Sequence, residues 1–478
     1  LERPRGTSAA VQPRIAAPRA GAGGDEPPAA LLAADAPLAR QVWSLAWPAI
    51  THMFLITLVF LMNRVMVGRY SGTALASMQI SGTLVWSIYS VFTAFSAGTL
   101  AVVARSIGAG DRRAAAAAAH GSLLLAVALG VAVVLPFLAA DGALLRLLFP
   151  RAGDAVIADA DAYLRIVLPV LPLSFIEAIA AAALQGSGDT RTPLYVATAG
   201  NLVNVSLSAL LIFGRWGFPE LGVRGAAIGA AATLSLEGIL LLAVLLSRRS
   251  PIPLRERLRA GFERSALRRV LRVSVPTFAE KVVYHSGYLA YVAMCGLLGA
   301  AAMAANQALI SIEAICFLSA DGFGIAAAAV VAQKLGARRT EEATRSGWYA
   351  AAMSMALLTT CGLVFAVVPR LLMSPFTSDP RIIDLGARSL YAAAVAQPFM
   401  AFATVMGMSL RGAGDTRTVL AVTVLCSVIV RLGATWIFAM TLGFGLVGVW
   451  MGSTADWVLR SVLLGVAWSR GRWRSVEV

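Results

Sequence analysis

The chain has 478 residues, of which 58% are hydrophobic and only 14% are charged, and its formal net charge is +15. Soluble domains carry about 25% charged residues, so this composition excludes an ordinary water-soluble protein and indicates a polytopic membrane protein. The arginines lie between apolar segments rather than on one basic face. This distribution fits the positive-inside rule of membrane proteins better than nucleic-acid binding.

The first 40 residues are rich in Ala, Pro, Gly and Arg and show no periodic apolar pattern. We predict that residues 1–40 form a disordered N-terminal segment, because such a composition cannot bury enough apolar surface to fold.

Twelve apolar segments follow, each long enough to cross a bilayer as a helix, which takes about 20 residues. The first six predicted spans are 41–68, 74–107, 113–140, 156–186, 193–213 and 223–246. The other six are 271–297, 302–335, 345–368, 384–411, 418–440 and 446–468. The sequence therefore predicts an all-α polytopic membrane protein.

The two halves of the chain are homologous. The nonapeptide Leu184–Thr192, with the sequence LQGSGDTRT, recurs as Leu410–Thr418, with the sequence LRGAGDTRT. At one constant spacing, Pro48 pairs with Pro276 and Gly108 pairs with Gly336. A long internal repeat of this kind indicates a duplicated structural unit. We predict an N-lobe at 41–246, a basic linker at 247–270, a C-lobe at 271–468 and a tail at 469–478.

The basic residues concentrate at one end of the predicted helices, and they include the run of arginines from Arg248 to Arg272. The positive-inside rule makes that end cytoplasmic, so both termini and the linker should lie inside the cell of an inner-membrane protein. An even number of helices in each repeat gives two parallel repeats. Parallel repeats are typical of alternating-access transporters, whose substrate sites lie between the repeats.

The two duplicated nonapeptides are polar loops between apolar helices. A phosphate-binding P-loop would need a preceding strand and a Gly-Lys-Ser/Thr sequence, and both loops lack them. We predict structural loops, in which Asp189 and Asp415 cap the helices that follow them. Arg191 and Arg417 belong to the same two loops.

The chain resembles the multidrug and toxic compound extrusion (MATE) family of cation-coupled antiporters over nearly everything after residue 40. The resemblance rests on the two Gly-x-Gly-Asp-Thr-Arg loops, on the stretch Asn306–Gly336, and on Asn201 and Asn204 before Leu211–Gly214. It implies a MATE-like fold of twelve transmembrane helices in two parallel six-helix repeats. Many relatives carry a coupling Asp in the first helix, where this chain has Asn63, which cannot titrate.

Several carboxylates lie within the predicted spans, where an unpaired charge costs roughly 2.5–3.5 kcal/mol on insertion scales. They are Glu177, Glu237, Glu280, Glu313, Asp321 and Asp456. Because most of them belong to the second half, the C-lobe is the preferred site of ion coupling. All of these except Glu237 are coupling candidates.

Glu280 is the first candidate, because it follows Pro276 by one turn and matches a position used by a subset of the family. Na⁺ could bind transiently there; the alternative is an ion pair with Lys281 or a facing basic group. Asp321 is the second candidate, since it lies beside the flexible Gly322.

The remaining charged groups have structural alternatives. Asp456 and Arg431 are expected to form a structural ion pair. Glu313 either couples ions or makes a structural hydrogen bond, and the same alternative applies to Asp321. Glu177 is either a counter-charge for a substrate cation or structural, and for Glu237 we expect a hydrogen bond within its lobe.

The resemblance also implies a central cleft lined by the first, second, seventh and eighth helices. The candidate residues of this cleft are Asn63, Gln79, Tyr284, His285, Gln307 and Phe323. The alternatives are helix–helix hydrogen bonding for the glutamines, a structural role for His285 and plain packing for Phe323.

We therefore expect a monomeric secondary exporter that expels organic, often cationic, compounds in exchange for H⁺ or Na⁺. Its partners are a small-molecule substrate and the lipid bilayer, with no nucleic acid, no resident metal and no cofactor beyond the coupling ion. A flippase for a lipid-linked oligosaccharide is the main alternative, although it would need a strongly cationic cavity. A membrane-embedded enzyme is a remote alternative, because the three histidines show no catalytic or metal-ligand spacing.

Overall fold

A computed structural model describes residues 37–139, 143–149 and 153–476, apart from a few side chains that include that of Gln79. The disorder predicted for residues 1–40 falls outside the described residues up to residue 36, and it is wrong for residues 38–40, which form the start of the first helix. Within them the fold is helical, and twelve long helices follow one another along the chain.

The helices of the first half (the N-half) are α1 (Leu38–Tyr70), α2 (Gly72–Gly108), α3 (Arg112–Ala139), α4 (Asp154–Ser187), α5 (Arg191–Phe213) and α6 (Val223–Leu246). The helices of the second half (the C-half) are α7 (Arg264–Gly296), α8 (Ala300–Gly336), α9 (Thr340–Val367), α10 (Pro380–Ala413), α11 (Thr416–Thr441) and α12 (Gly445–Arg470). These bounds confirm the twelve-helix fold, and the largest difference is at α7, which begins seven residues before its predicted start.

Ten of the twelve helices are long and apolar enough to cross a membrane by length and composition. The exceptions are α7 and α12, which carry more charged residues: α7 has several arginines in its first turns, and α12 holds Asp456 and Arg460 in its interior. Many large apolar side chains are exposed on the outside of the bundle, including Leu135 and Leu289. Such a surface is unsuitable for water and fits contact with lipid.

Three short helices escaped prediction, at Ala143–Leu148, Leu254–Ala260 and Pro369–Met373. Each has seven residues or fewer, and one or two turns leave too short a periodic pattern to recognise. The helix Leu254–Ala260 lies within the linker that the sequence marks as basic.

The two duplicated loops share one geometry. Gly188 and Gly414 end α4 and α10 with φ of 98° and 95°, a left-handed conformation that glycine adopts without strain. The next residue then bonds back in each loop, from Asp189 N–H to the Leu184 carbonyl and from Asp415 N–H to the Leu410 carbonyl, both at 2.9 Å. The sequence repeat therefore reflects a repeat of backbone structure.

The two halves meet through equivalent helices. Helix α1 packs on α8 and α2 packs on α7, and these two contacts correspond under the sequence repeat. Helices α2 and α8 also pack directly on each other. One buried apolar cluster lies mainly in the N-half, and a larger one lies mainly in the C-half and extends across the interface to Val42, Leu45 and Leu100, so the two halves share part of their core.

Two helices depart from regular α geometry inside the bundle. Helix α4 contains a 3₁₀ turn at Leu168–Val170, which includes Pro169 and is followed by Pro172; both prolines remove backbone donors. Helix α11 contains two π-helical stretches, Val424–Val430 and Trp436–Thr441, on either side of Arg431. Since π-helical turns often accompany functional sites, the surroundings of Arg431 are a candidate functional region of the C-half.

Candidate functional site

The C-half holds Glu280 in a two-point ion pair. Arg411 Nη2 lies 2.5 Å from Glu280 Oε1, and Arg411 Nε donates to Glu280 Oε2 at 3.0 Å. The hydroxyl of Thr423 also donates to Glu280 Oε1, at 3.1 Å. Lys281 lies within electrostatic range, but Arg411, which begins the second duplicated loop, is the partner in direct contact. The structure thus shows the ion-pair alternative considered for Glu280, with a different basic residue.

Asp456 lies between two arginines, fully buried. Arg460 donates to it from Nε at 3.0 Å and from Nη2 at 2.8 Å, and Arg431 Nε lies 2.8 Å from Oδ2 in ion-pair contact. The expected pairing of Asp456 with Arg431 is therefore present, and Arg460 is added to it. Arg460 also donates a hydrogen bond to the hydroxyl of Ser427, which lies in the first π-helical stretch.

Aromatic rings enclose the two arginines. The Arg431 guanidinium lies over Tyr284, Tyr291 and Trp457 at 5.6–5.9 Å from the ring centroids, within the range of cation–π attraction. Arg460 lies over Trp457 at 4.9 Å. Tyr284, predicted to lie near the cleft, therefore contacts protein cations here. The cluster has one carboxylate in contact with two guanidiniums, and this carboxylate and the aromatic rings hold both guanidiniums in place.

Glu313 and Asp321 lie on α8 in different surroundings. Glu313 is beside Gln397 of α10 and within electrostatic range of Arg431, and its Oε1 has no hydrogen-bond partner in the described structure. Asp321 is within electrostatic range of Lys281 and Arg411, which places it near the Glu280 ion pair. Both acids can therefore interact with the cations that neutralise Glu280 and Asp456.

The N-half brings together two carboxylates and a tyrosine from three helices. Tyr89 of α2 donates to Glu177 Oε2 of α4 at 3.3 Å, and Glu237 of α6 interacts electrostatically with both. Glu237 fits against α5 at Gly200, where a Cβ would lie 2.2 Å from its Oε1. Among the described residues, no Lys, Arg or His forms an ion pair with either carboxylate. Glu280, Glu313, Asp321 and Asp456 each have a basic side chain in contact or within electrostatic range, whereas these two acids have none among the described residues.

A small aromatic cavity lies beside this group. Tyr89, Phe92, Phe95 and Phe175 line it together with Ser96, and Phe92 stacks on Phe175 with ring centroids 4.1 Å apart. The walls are aromatic and apolar, but in this structure the cavity has room for little more than one water molecule and would have to widen to admit an organic ligand.

Three asparagines of α1 and α5 each have a side-chain polar atom without a hydrogen-bond partner among the described residues. Asn63 is 8% exposed, and its Oδ1 accepts no hydrogen bond from the described residues. Asn201 Nδ2 and Asn204 Oδ1 of α5, a helix that packs on α1, are also unpaired there. Asn63, unlike an Asp at the same position, cannot take up or release a proton.

Several predicted cleft residues lie in the interface between the halves. Phe323 is only 1% exposed and packs on Trp43 of α1, with ring centroids 6.2 Å apart. His285 bonds to the Ser90 hydroxyl of α2 at 2.9 Å. Gln307 is exposed, and the side chain of Gln79 lies outside the described part. In this structure Phe323 follows the packing alternative, since it has almost no accessible surface to offer a ligand.

The acids of the duplicated loops bond within their own loops. Asp189 accepts from the Thr192 backbone N–H at 2.9 Å and from its hydroxyl at 2.6 Å. Asp415 accepts the same two bonds from Thr418, at 3.3 and 2.8 Å. Arg191 lies over the Trp47 ring at 5.9 Å, and Arg417 is exposed. This arrangement is that of helix caps.

Three residues important to these clusters escaped the sequence analysis: Tyr89, Arg411 as the partner of Glu280, and Arg460. Arg460 lies one helical turn after Asp456, a spacing that could have indicated a pair. Tyr89 and Arg411 gave no comparable signal, because their partners are distant in sequence. Among the described residues, no group of three or more His, Cys, Asp and Glu side chains could hold a metal ion.

Comparison with known sequences identifies relatives along most of the chain. The MatE family model matches residues 48–210 and 276–437, one segment in each half. The chain is 31% identical to the probable multidrug resistance protein NorM of Thermotoga maritima over 442 residues, covering 92% of this chain and 94% of that protein. It is 28% identical to the protein of the same name from Pseudomonas putida, covering 91% of this chain and 95% of that one.

Solved structures show the same fold. A crystal structure of a MATE protein in the straight conformation superposes with a TM-score of 0.84 at 21% identity, covering 92% of this chain and 96% of that one. An outward-facing multidrug resistance MATE family transporter of the MOP superfamily gives a TM-score of 0.82 at 21% identity, with the same coverage. These relatives are transporters rather than enzymes.

Proposed function

Because this chain belongs to the MatE family of multidrug efflux transporters, we propose that it exports organic cations in exchange for an inward flow of H⁺ or Na⁺. The family membership supports export of small molecules across a membrane. The proposal adds the coupling ion and the charge of the substrate.

One observation carries the choice of cation coupling. Glu177 and Glu237 lie within electrostatic range of each other in the N-half, with Tyr89 bonded to Glu177 and no basic partner in the described structure. Two adjacent carboxylates without a counter-cation can share a proton or take up a metal cation between them. Such a pair responds to an ion gradient, whereas an acid locked to a guanidinium keeps its charge.

Glu280 has a different place in this scheme than the sequence suggested. Its ion pair with Arg411 must break before a proton or Na⁺ can neutralise it, and that would leave a guanidinium exposed to a low-dielectric surrounding. We therefore place primary coupling at Glu177 and Glu237. Glu280 can act in coupling only if Arg411 moves away in another state of the cycle.

The substrate class rests on the chemistry beside that pair. The cavity lined by Tyr89, Phe92, Phe95 and Phe175 adjoins Glu177 through Tyr89, which bonds to that acid, and it would have to widen to admit a substrate. Aromatic rings and a nearby carboxylate together favour a flat organic cation over an anion. Competition between such a substrate and the coupling ion for Glu177 would link export to ion entry.

The flippase alternative predicts a different charge balance. A pyrophosphate-linked substrate calls for excess positive charge in the membrane, but Arg431 and Arg460 already share Asp456, and Arg411 is held by Glu280. Glu313 also lies within electrostatic range of Arg431, so acids of the protein offset these three arginines and leave little positive charge for an anionic lipid. Flipping of a lipid-linked oligosaccharide by the purified protein would favour the alternative.

The test is transport in reconstituted vesicles with a fluorescent organic cation such as ethidium, while a pH gradient and a Na⁺ gradient are imposed separately. We expect ethidium to move against its gradient when one of the two ion gradients is imposed, and not to do so when neither is imposed. Uphill movement that ignores both gradients would overturn the proposal.

Orientation and assembly complete the proposed function. We propose a monomer in the inner membrane whose duplicated loops, linker and tail face the cytoplasm, as the concentration of arginines from Arg248 to Arg272 suggests. Labelling of a cysteine introduced in the linker, from one side of intact cells at a time, tests the orientation.

A further inference from the structure

At one end of the bundle, which we call the loop end because both duplicated loops lie there, the two halves touch through their backbones. Gly108 at the end of α2 and Gly336 at the end of α8 are equivalent in the sequence repeat. A Cβ on Gly108 would lie 1.9 Å from the Gln333 carbonyl oxygen, and a Cβ on Gly336 would lie 2.0 Å from that of Arg105. Any larger residue would force the helices apart, so the close approach itself requires glycine.

Two hydrogen bonds cross the interface beside this contact. Arg105 and Gln333 are also equivalent in the repeat, and each donates to the duplicated loop of the other half. Arg105 Nη1 donates to the Ala413 carbonyl at 3.4 Å, and Gln333 Nε2 donates to the Gly186 carbonyl at 2.8 Å. The pseudo-symmetry of the chain thus produces a reciprocal pair of contacts that exist only while the two halves are together.

The tail adds a third contact at the same place. Arg105 Nη1 donates to the Val476 carbonyl at 2.8 Å, across from the N-half to the C-terminal tail segment 471–476. Trp473 anchors that segment: it is fully buried, stacks on Trp468 with ring centroids 4.0 Å apart and donates to the Trp468 carbonyl at 2.9 Å. The tail segment therefore extends from a rigid anchor on α12 to a residue of α2.

We propose that Arg105 and Gln333 are the gate residues that hold the loop end closed, and that the tail segment must release Arg105 before this end opens. The proposal rests on the proposed function only in assuming that the loop end opens at some stage of transport. Contacts made in the closed state and lost in the open state shift the population toward closure. The donors act on loop carbonyls rather than on side chains, so their effect depends on the position of each loop.

Distances between the halves test this without substrate or ion gradient. Spin labels are attached to R113C and E341C, which are equivalent exposed positions at the loop end on α3 and α9, in a full-length chain whose four native cysteines are replaced. Double electron–electron resonance then gives the distribution of distances between the two spin labels in lipid nanodiscs. The variants are Arg105→Leu, Gln333→Leu and both together, and Arg264→Leu is the control, since it removes an exposed arginine at the start of α7.

Loss of either donor is expected to raise the ratio of open to closed molecules by about two- to tenfold, which is the effect of one ordinary net hydrogen bond. The double variant should shift it further, and Arg264→Leu should leave it as in the wild type. Distance distributions of Arg105→Leu and Gln333→Leu that match the wild type would overturn the assignment.

The tail is tested by ending the chain after Gly471, and by Trp473→Ala in case the truncated chain does not fold. Either change should shift the distribution in the same direction as Arg105→Leu, with little further effect when combined with it. An unchanged distribution in Trp473→Ala would overturn the role of the tail. Because the measurement needs no transport, failed ethidium export with shifted distances would reject the proposed function and keep the gate.

Discussion

Arg411, in the last turn of α10 where the second duplicated loop begins, forms a two-point ion pair with Glu280 of α7, with contacts of 2.5 and 3.0 Å. The side chains are 14% and 6% exposed, so both charges are largely removed from solvent. This pair connects a loop recognised as a structural repeat with an acid first considered for ion coupling. It also decides which variants can separate these two roles.

Glu280→Gln is expected to destabilise the protein by about 3–5 kcal/mol, because it leaves the Arg411 guanidinium buried without its partner. Glu280→Gln combined with Arg411→Met should recover most of that loss. Thermal unfolding followed by tryptophan fluorescence measures both. If the double variant is stable and exports ethidium with normal ion dependence, Glu280 is excluded as the coupling acid; a stable but uncoupled double variant would restore it as the first candidate.

Glu177→Gln is expected to abolish ion-driven export while leaving thermal stability unchanged or slightly raised, since no ion pair is broken. Glu237→Gln should weaken coupling in the same assay, because it removes the second carboxylate of the pair. Vesicle transport under separate pH and Na⁺ gradients checks both variants. Tyr89→Phe is the matched control: it keeps the ring of the aromatic cavity and removes only the hydroxyl at 3.3 Å. If the variant that combines Glu177→Gln with Glu237→Gln kept wild-type ion dependence, this pair would be excluded as the coupling site.

Asp456→Asn is expected to be among the most damaging single substitutions, with a loss of about 3–5 kcal/mol. It would remove the only carboxylate that is in direct contact with Arg431 and Arg460 among the described residues, at a fully buried position. Arg431→Met should be milder, because Asp456 keeps its three bonds to Arg460. Folded yield in detergent and the unfolding midpoint rank the two variants. The opposite order would mean that the aromatic contacts of Arg431 contribute more than its charge.

Asp189→Ala and Asp415→Ala are each expected to lower the free energy of unfolding by about 0.5–2 kcal/mol, the usual effect of losing a helix cap. Each change removes an acceptor for a backbone N–H and for a threonine hydroxyl. Asp189→Asn should be milder, since an amide oxygen can still accept one of these bonds. Folded yield should fall slightly in Asp189→Asn and further in the Ala variants, while the ion dependence of export is retained. Normal yield with altered ion dependence would show that the loops act directly in coupling.

The helices and the repeat could be predicted from the sequence because both are local properties. A span needs an apolar segment of sufficient length, and a loop such as Leu184–Thr192 repeats its own glycine and aspartate. All twelve long helices therefore match their predicted positions closely. The short helix Leu254–Ala260 and the π-helical stretch Val424–Val430 were missed, because they depend on packing rather than on hydrophobic period.

The pairing of the charged residues was decided only by the tertiary structure. Sequence identified Glu280 and Asp456 as acids within spans, but the side chains that neutralise them come largely from other helices, and Arg411 is 131 positions away from Glu280. It also gave no sign that Glu177 and Glu237 would come together with Tyr89. Hydropathy depends on one helix at a time, whereas a charge inside a membrane is stabilised by whichever side chains the helix packing brings within a few ångströms of it.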